Sequence, residues 1–430
     1  MTGSPRTSVQ SSIRDIASAY GISYIYCRRL RLIMVFRLLA IILACLPPCL
    51  AFSPDPLLGA KVATVKSVVL RQQGPSSGPL RLFYYADDEP SFQSLAVHGK
   101  RVSLLAPQSY WIQPSGFVFG GIPPRVAKLA RDDHIPLMPL VFNRNFDRST
   151  VTAVLRNPQA RTHLVSYLAY AVRRDHAVGM QIDFENIAPE DRANFSELVR
   201  EAARRFHSEG KLLSVALPPK RIILPAIPGK PGTGTWAAAF DYREIGRFAD
   251  FVTVMAYDQH GRDDPPGPVA GYDWVRQVLD YATSRIPAQK ILLGVPFYGR
   301  EWVETGGGTF AHTITLRDVI GVERKTGVKV RWDAVRQSPW FAYRQGNAHY
   351  NAWFENTESL KLKLALISHY KLRGFAAWRL GSEDLSVWTL PAVSGIAPRQ
   401  ARHSGRRLPR STARVRKRLD PISRKQGQGK

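Results

Sequence analysis

A chain of 430 residues with 44% hydrophobic content holds enough apolar material for one large domain or two to three smaller ones. The formal net charge is +26, but about +11 falls in residues 399–430 and about +5 in residues 1–37, so the total argues little for a nucleic-acid surface on the folded part. The only cysteines, Cys27, Cys45 and Cys49, stand close to the N-terminus.

Residues 1–33 read as an upstream extension if Met34 is the true start. Met34 to Ala51 reads as a secretion signal. Arg37 supplies a charge, Leu38 to Leu46 is apolar, and Cys49-Leu50-Ala51 has a small-x-small cleavage pattern. The apolar run is too short for a comfortable membrane span; an uncleaved signal anchor is the competing reading. Ile42-Leu43-Ala44-Cys45 is close to a lipoprotein box, although Leu43 fits it poorly. The expectation is export to the periplasm, cell envelope or medium. A chain cleaved after Ala51 has no cysteine, which removes disulfides, thiol nucleophiles and Cys-based metal sites. Residues 52–79 read as a linker or leading strand, with Gly74-Pro75-Ser76-Ser77-Gly78 near the end.

From Leu80 onward, short apolar runs alternate with amphipathic segments. The runs are Leu80–Tyr85, Val102–Ala106, Pro136–Phe142, Met180–Glu185, Leu212–Leu217, Phe251–Tyr257, Ile291–Phe297 and Gly374–Leu380. Helices are predicted over Pro124–Asp132, Asn157–His176, Pro189–Glu209, Tyr272–Arg285 and Thr357–Tyr370. Eight runs alternating with helices predict an α/β fold, a closed (β/α)₈ TIM barrel over residues 80–396. The alternative, a doubly wound sheet, calls for a glycine-rich phosphate loop after the first strand, and Tyr84-Tyr85-Ala86-Asp87-Asp88 offers none. The gap between the seventh and eighth runs, about residues 301–356, is too long for one helix and predicts a small α+β insertion that walls the cleft. Residues 397–430 form a basic tail, read first as a solvated, disordered extension. Its alternative partners are anionic wall polymer, a phospholipid surface or nucleic acid.

The chemistry centres on Gly179-Met180-Gln181-Ile182-Asp183-Phe184-Glu185-Asn186. In a strand, Gln181, Asp183 and Glu185 share one face, and three polar groups on one side of a buried strand are hard to justify by stability alone. Glu185 falls where barrel enzymes keep their chemistry. A carboxylic acid there donates a proton to a leaving oxygen once burial and a neighbouring anion raise its pKa, and Asp183 is that neighbour. The competing structural reading is an ion pair inside the barrel, but the run contains no cation. Met255-Ala256-Tyr257-Asp258 ends the sixth run with Met255 and Tyr257 facing inward and Asp258 at the rim. Trp378 offers a flat apolar surface for a pyranose. Tyr298 and Arg300 reach toward the cleft from the end of the seventh run. Tyr84, Gln108, Asn143 and Lys220 are further substrate-binding candidates at run ends. The histidines show no metal-ligand spacing and no phosphate-binding loop is present, so no cofactor is expected.

These residues resemble family 18 glycoside hydrolases, the chitinase-like barrels, over roughly Leu80 to Trp388. The family's fourth strand typically reads Asp-Gly-x-Asp-x-Asp-x-Glu; here Gly179, Asp183 and Glu185 match, while Val178 and Gln181 replace the first two Asp. Met255–Asp258, Pro296–Arg300 and Trp378 add to the likeness. Gln181 and Asn186 are similar to a bacterial subgroup that includes spore-cortex-lytic N-acetylglucosaminidases and deacetylase-associated barrel domains. The resemblance implies hydrolysis of β-1,4 bonds in peptidoglycan, chitin or an exopolysaccharide by a substrate-assisted retaining mechanism. It implies Glu185 as acid and then base, Asp183 as partner of the substrate acetamide, and Tyr257 as holder of the acetamide oxygen. A neutral Gln181 is expected to hydrogen-bond Asp183 without titrating with it, leaving Asp183 ionised over a wider pH range than in ordinary chitinases. A non-hydrolytic carbohydrate-binding barrel is the alternative, although lectin-like members usually lack the Glu.

Overall fold

In the computed structural model the described residues are 78–221 and 237–394. Residues 1–77, which include the stretch read as a signal and all three cysteines, and the basic tail lie outside them.

The eight apolar runs become eight parallel strands that close on one another. The first two are β1 (Leu80–Tyr85) and β2 (Leu104–Ile112), the latter extended by an antiparallel partner, β3 (Val118–Gly120). The wall continues through β4 (Leu140–Phe142), β5 (Gly179–Asp183), β6 (Leu212–Leu217), β7 (Phe251–Val254) and β8 (Ile291–Pro296). An insertion then contributes β9 (Gly299–Thr305), β10 (Gly308–Ile314), β11 (Arg331–Asp333), β12 (Ser338–Gln345) and β13 (Ala348–Trp353). The barrel ends with β14 (Gly374–Trp378), which pairs in parallel with both β8 and β1, while β1 also pairs with β2. That ring of pairings is a closed (β/α)₈ barrel.

The strand period of two divides the core into two layers. Leu80, Leu82 and Tyr84 of β1 point into the barrel, against Leu104, Ala106, Met138, Leu140, Phe251 and Leu292. Phe83 and Tyr85, one residue out of phase, face the outer shell. That shell is built by α1 (Glu89–His98), α2 (Pro124–Asp132), α3 (Arg148–Arg156), α4 (Pro158–Arg174), α5 (Arg192–Ser208), α6 (Tyr242–Phe248) and α7 (Tyr272–Thr283). Short polar side chains start many of them. Asp88, Asp147, Asn157 and Asp241 each accept main-chain N–H bonds as caps of α1, α3, α4 and α6. Gly179 opens β5 because nothing larger fits: a Cβ there would stand 2.0 Å from the Leu212 carbonyl oxygen.

The sheet of the insertion has the order β10-β9-β13-β12-β11, with α8 (Leu316–Thr326) on one face, packed through Ile314, Val319, Phe341, Ala352 and Phe354. It starts at Gly299, two residues before the expected boundary. The chain returns to the barrel through α9 (Thr357–His369), anchored by Glu355, whose carboxylate meets Lys363 Nζ at 2.7 Å in a fully enclosed ion pair. A last turn of helix, α10 (Pro391–Ser394), ends the described chain.

Several strands stop earlier than the apolar runs do. β5 ends at Asp183, so Glu185 lies beyond the strand, and β7 ends at Val254, leaving Met255 and Tyr257 in the following loop. The helices α1, α3 and α6 were not foreseen in sequence. α1 buries only Ser91, Ser94 and Leu95, which leaves little apolar stripe to read. α3 runs into α4 with only Asn157 between them, and α6 is seven residues long. Among the described residues no helix is long and apolar enough to cross a membrane.

Candidate active site

The interior of the barrel is apolar until it reaches Gln181, which is fully buried. Its carbonyl oxygen accepts from Tyr84 OH at 2.8 Å, and its amide donates to Ser214 Oγ at 2.8 Å and Thr253 Oγ1 at 3.2 Å. One amide thus ties β5 to β1, β6 and β7. This corrects the expectation that Gln181 serves Asp183 or contacts substrate: its hydrogen-bonding atoms are occupied by three hydroxyls beneath the cleft.

Asp183 is the next residue up on the same face. It is 8% exposed, and among the described residues its Oδ1 has no hydrogen-bond partner. Burial pushes its carboxyl up to about 7. Burial thus works against the ionised carboxylate that a neutral Gln181 was expected to favour. A neutral neighbour at 181 removes one source of repulsion, but lost hydration without a compensating donor is the larger effect.

Glu185 is positioned through its main chain. Asn143, at the end of β4 and 2% exposed, accepts from the Glu185 N–H at 2.9 Å and donates to the Glu185 carbonyl at 3.0 Å. The same amide donates to the Asp147 carbonyl at 3.3 Å. Asn186 follows with φ +55°, its side chain donating to the Phe146 carbonyl and accepting from Arg148. The loop after β4 thereby grips Glu185 and Asn186, the second and third residues past the end of β5, and the Glu185 side chain lines the cleft. Asn143 is a positioning residue rather than a rim contact. Asn143→Ala leaves both Glu185 main-chain groups without their partner, so it is expected to lower stability by about 1–3 kcal/mol. It should also lower kcat about tenfold with little change in KM, as read by thermal unfolding and steady-state kinetics.

The cleft above has a volume of about 1400 Å³. Met255, Tyr257 and Trp378 line it together with Glu185, Tyr298, Arg300, Asp258 and Lys220, and the insertion adds Thr313 and Thr315 to its wall. The Tyr257 hydroxyl makes no hydrogen bond among the described residues, and its buried phenol is held well above its ordinary pKa by burial, by the neighbouring phenols Tyr84 and Tyr298, and by the fields of Asp183 and Glu185. It is a protonated donor at any working pH. Tyr298 is raised the same way, first by burial and then by Asp258.

Tyr298 OH donates to Asp258 at 2.6 Å, and Arg300 pairs with the same carboxylate. The rim carboxylate is thus engaged by two cleft residues before any ligand arrives. The Tyr84 ring packs 5.3 Å from Trp378 beneath the cleft, and its hydroxyl is used by Gln181, so Tyr84 supports the site from below. Gln108 is the candidate that the fold leaves out: it is half-buried at an irregularity in β2 and does not line the cleft.

Ser214, Thr253, Phe146, His260, Arg262 and Arg379 were not singled out in sequence. The first two did carry a signal, since each is the lone polar residue at an inward position of an otherwise apolar run. Arg379 stands within the last apolar run, one residue past the end of β14, and the others come from segments whose course no periodicity reports. Among the described residues, no group of three His, Cys, Asp or Glu side chains is gathered closely enough to hold a metal ion.

A family model described as Glycosyl hydrolases family 18 matches residues 127–384. An uncharacterized glycosylase of Bacillus subtilis (strain 168) is 26% identical over 336 residues, covering 76% of this chain and 94% of that protein. The cortical fragment-lytic enzyme of the same organism is 29% identical over 295 residues, 67% of each chain. Among solved structures, a chitinase from Chromobacterium violaceum ATCC 12472 superposes with a TM-score of 0.67 at 29% identity, covering 75% of this chain and 100% of that one.

Proposed function

Because the chain belongs to glycosyl hydrolases family 18 and is a glycosidase, we propose that it cleaves β-1,4 bonds of an N-acetylglucosamine-containing polysaccharide, with retention and with the substrate acetamide as nucleophile. The observation that carries this reading is the pairing of a cleft-lining Glu185 with a buried Asp183 that keeps one carboxyl oxygen without a partner. An acetamide N–H is the donor that this oxygen lacks.

In the first step Glu185 protonates the glycosidic oxygen. The bond from that oxygen to the anomeric carbon breaks as the acetamide carbonyl oxygen bonds to the same carbon. The resulting oxazolinium carries a positive charge, which Asp183 balances from the N–H side. Tyr257, with its hydroxyl uncommitted, donates to the acetamide oxygen and orients it. In the second step Glu185 takes a proton from water, the water oxygen bonds to the anomeric carbon, and the acetamide is released. The Trp378 indole supports the sugar from below.

The names of the relatives point to two kinds of material, cortical fragments and chitin. The signal-like segment at Met34 to Ala51 favours action outside the cytoplasm. Mass spectrometry of products from purified peptidoglycan and from chitin oligomers tests the proposal. Fragments ending in a reducing N-acetyl sugar are expected from at least one of the two, and cleavage of neither contradicts it.

A further inference from the structure

The cleft does not distribute its charge evenly. Arg300 is paired with Asp258 and Arg379 with Asp88 at 2.6 Å, while Arg262, also in the lining, is exposed and is followed by Asp263 and Asp264. The end of the cleft that follows β6 is different. There the chain reads Pro218-Pro219-Lys220-Arg221, and all four residues line the cavity. Tyr242 OH donates to the Pro218 carbonyl at 2.5 Å and fixes the turn. Lys220 Nζ donates to the Phe240 carbonyl at 2.7 Å and lies 5.6 Å from the centre of the Tyr242 ring. Arg221 donates to Gln277 Oε1 at 3.2 Å. Among the described residues neither cation has a carboxylate partner.

The nearby Asp241 is committed elsewhere, to Arg192 at 2.8 Å and to the Arg243 and Glu244 N–H groups. The following segment, residues 222–236, contains one Lys and no Asp or Glu, so its sequence offers no counter-charge either.

A half-buried ammonium with only neutral partners is under-solvated. Burial lowers the Lys220 pKa to about 8, Arg192 on α5 adds to the fall, and Asp241 at the start of α6 opposes it. A ligand oxygen bearing negative charge would relieve this, because charge-assisted hydrogen bonds are roughly twice as strong as neutral ones. A neutral homopolymer brings only hydroxyls and amides to this end of the cleft.

We propose that Lys220 and Arg221 form an anion subsite, so that the polysaccharide taken by this protein carries carboxylates beside its N-acetyl sugars. The proposal rests on the hydrolase reading for its substrate backbone, but its own test is a binding measurement.

Three β-1,4-linked N-acetylated oligosaccharides of one length discriminate: one with a free lactyl carboxylate on a sugar, one with that group amidated, and one with a short lactyl-linked peptide that ends in a carboxylate. Affinity is read calorimetrically on the Glu185→Gln variant at low salt, so that turnover plays no part. The free-carboxylate oligosaccharide is expected to bind about tenfold more tightly than its amide. That advantage should shrink toward one in Lys220→Met and in Arg221→Gln, decline with salt, and fall as pH rises through about 8, where Lys220 loses its charge. Tight binding of the peptide form assigns the carboxylate to a stem, and weak binding assigns it to the sugar. Equal affinity for the carboxylate and its amide, with no gain from the peptide, overturns the subsite. So does an advantage that survives in both variants. A carboxylate advantage without cleavage of any of the three by the unmodified protein contradicts the hydrolase reading and leaves the subsite standing.

Discussion

Glu185→Gln is expected to lower turnover by roughly 10²–10⁴-fold while leaving oligosaccharide affinity nearly unchanged. The substitution keeps the shape of the side chain but removes both the transferable proton and the base that later accepts one from water. The main chain at this position is gripped by Asn143 through its N–H and carbonyl, and neither bond depends on the carboxyl group. Single-turnover kinetics and calorimetric titration with one oligosaccharide separate the two effects. Near-parental turnover would remove Glu185 from the chemistry, and a large loss of affinity would make it a binding group instead.

Asp183→Asn is expected to move activity and stability in opposite directions. The Asp183 carboxyl titrates near its ordinary 3.8 in the unfolded chain and is pushed up to about 7 in the fold by burial. Between those values the unfolded chain binds fewer protons than the folded one. Folding stability is therefore fully present below about 4 and declines as pH rises to about 7. Asparagine carries no charge to desolvate, so at pH 8 the variant should gain on the order of 2–4 kcal/mol of unfolding free energy. It should lose roughly 10²–10³-fold in kcat/KM, because the acetamide cation forms without its counter-charge. The parent should show an acid limb in kcat/KM with a midpoint near 7, absent from the variant's residual activity. Denaturant unfolding at pH 5 and pH 8, together with a pH–rate profile, checks all three. A variant less stable than the parent at pH 8 would mean that Asp183 is a structural anion. A gain in stability with a loss of activity is the pattern expected of a group kept for function at the expense of the fold.

The barrel was legible because its strands are buried on both faces and stand out as short apolar runs. Leu80–Tyr85 and Leu212–Leu217 were read to the residue. The insertion was legible from the length of the gap and from the glycine turn and short apolar stretches within it. Helices with little apolar stripe, such as Glu89–His98, were not, because most of their stabilisation comes from caps and from the shell they join.

Within the site, residue types and spacing pointed to Glu185, Asp183, Tyr257 and Trp378, and the fold brings Glu185, Tyr257 and Trp378 to one cleft with Asp183 one pleat beneath. The environment of Asp183 was not legible. The partners of Gln181 come from strands 33 to 97 residues away in sequence, so nothing near position 181 reveals that its amide is already occupied. The positioning role of Asn143 is hidden for the same reason, since it holds a main chain 42 residues downstream.

The central claim is retaining, substrate-assisted hydrolysis at Glu185. It is tested most directly by proton NMR of the reducing end released from a short N-acetylated oligosaccharide during the first minutes of reaction. Attack by the acetamide followed by water requires the β-anomer to appear first and the α-anomer to grow in only by mutarotation. Initial release of the α-anomer would mean a single inverting displacement and would contradict the roles given to Asp183 and the substrate acetamide.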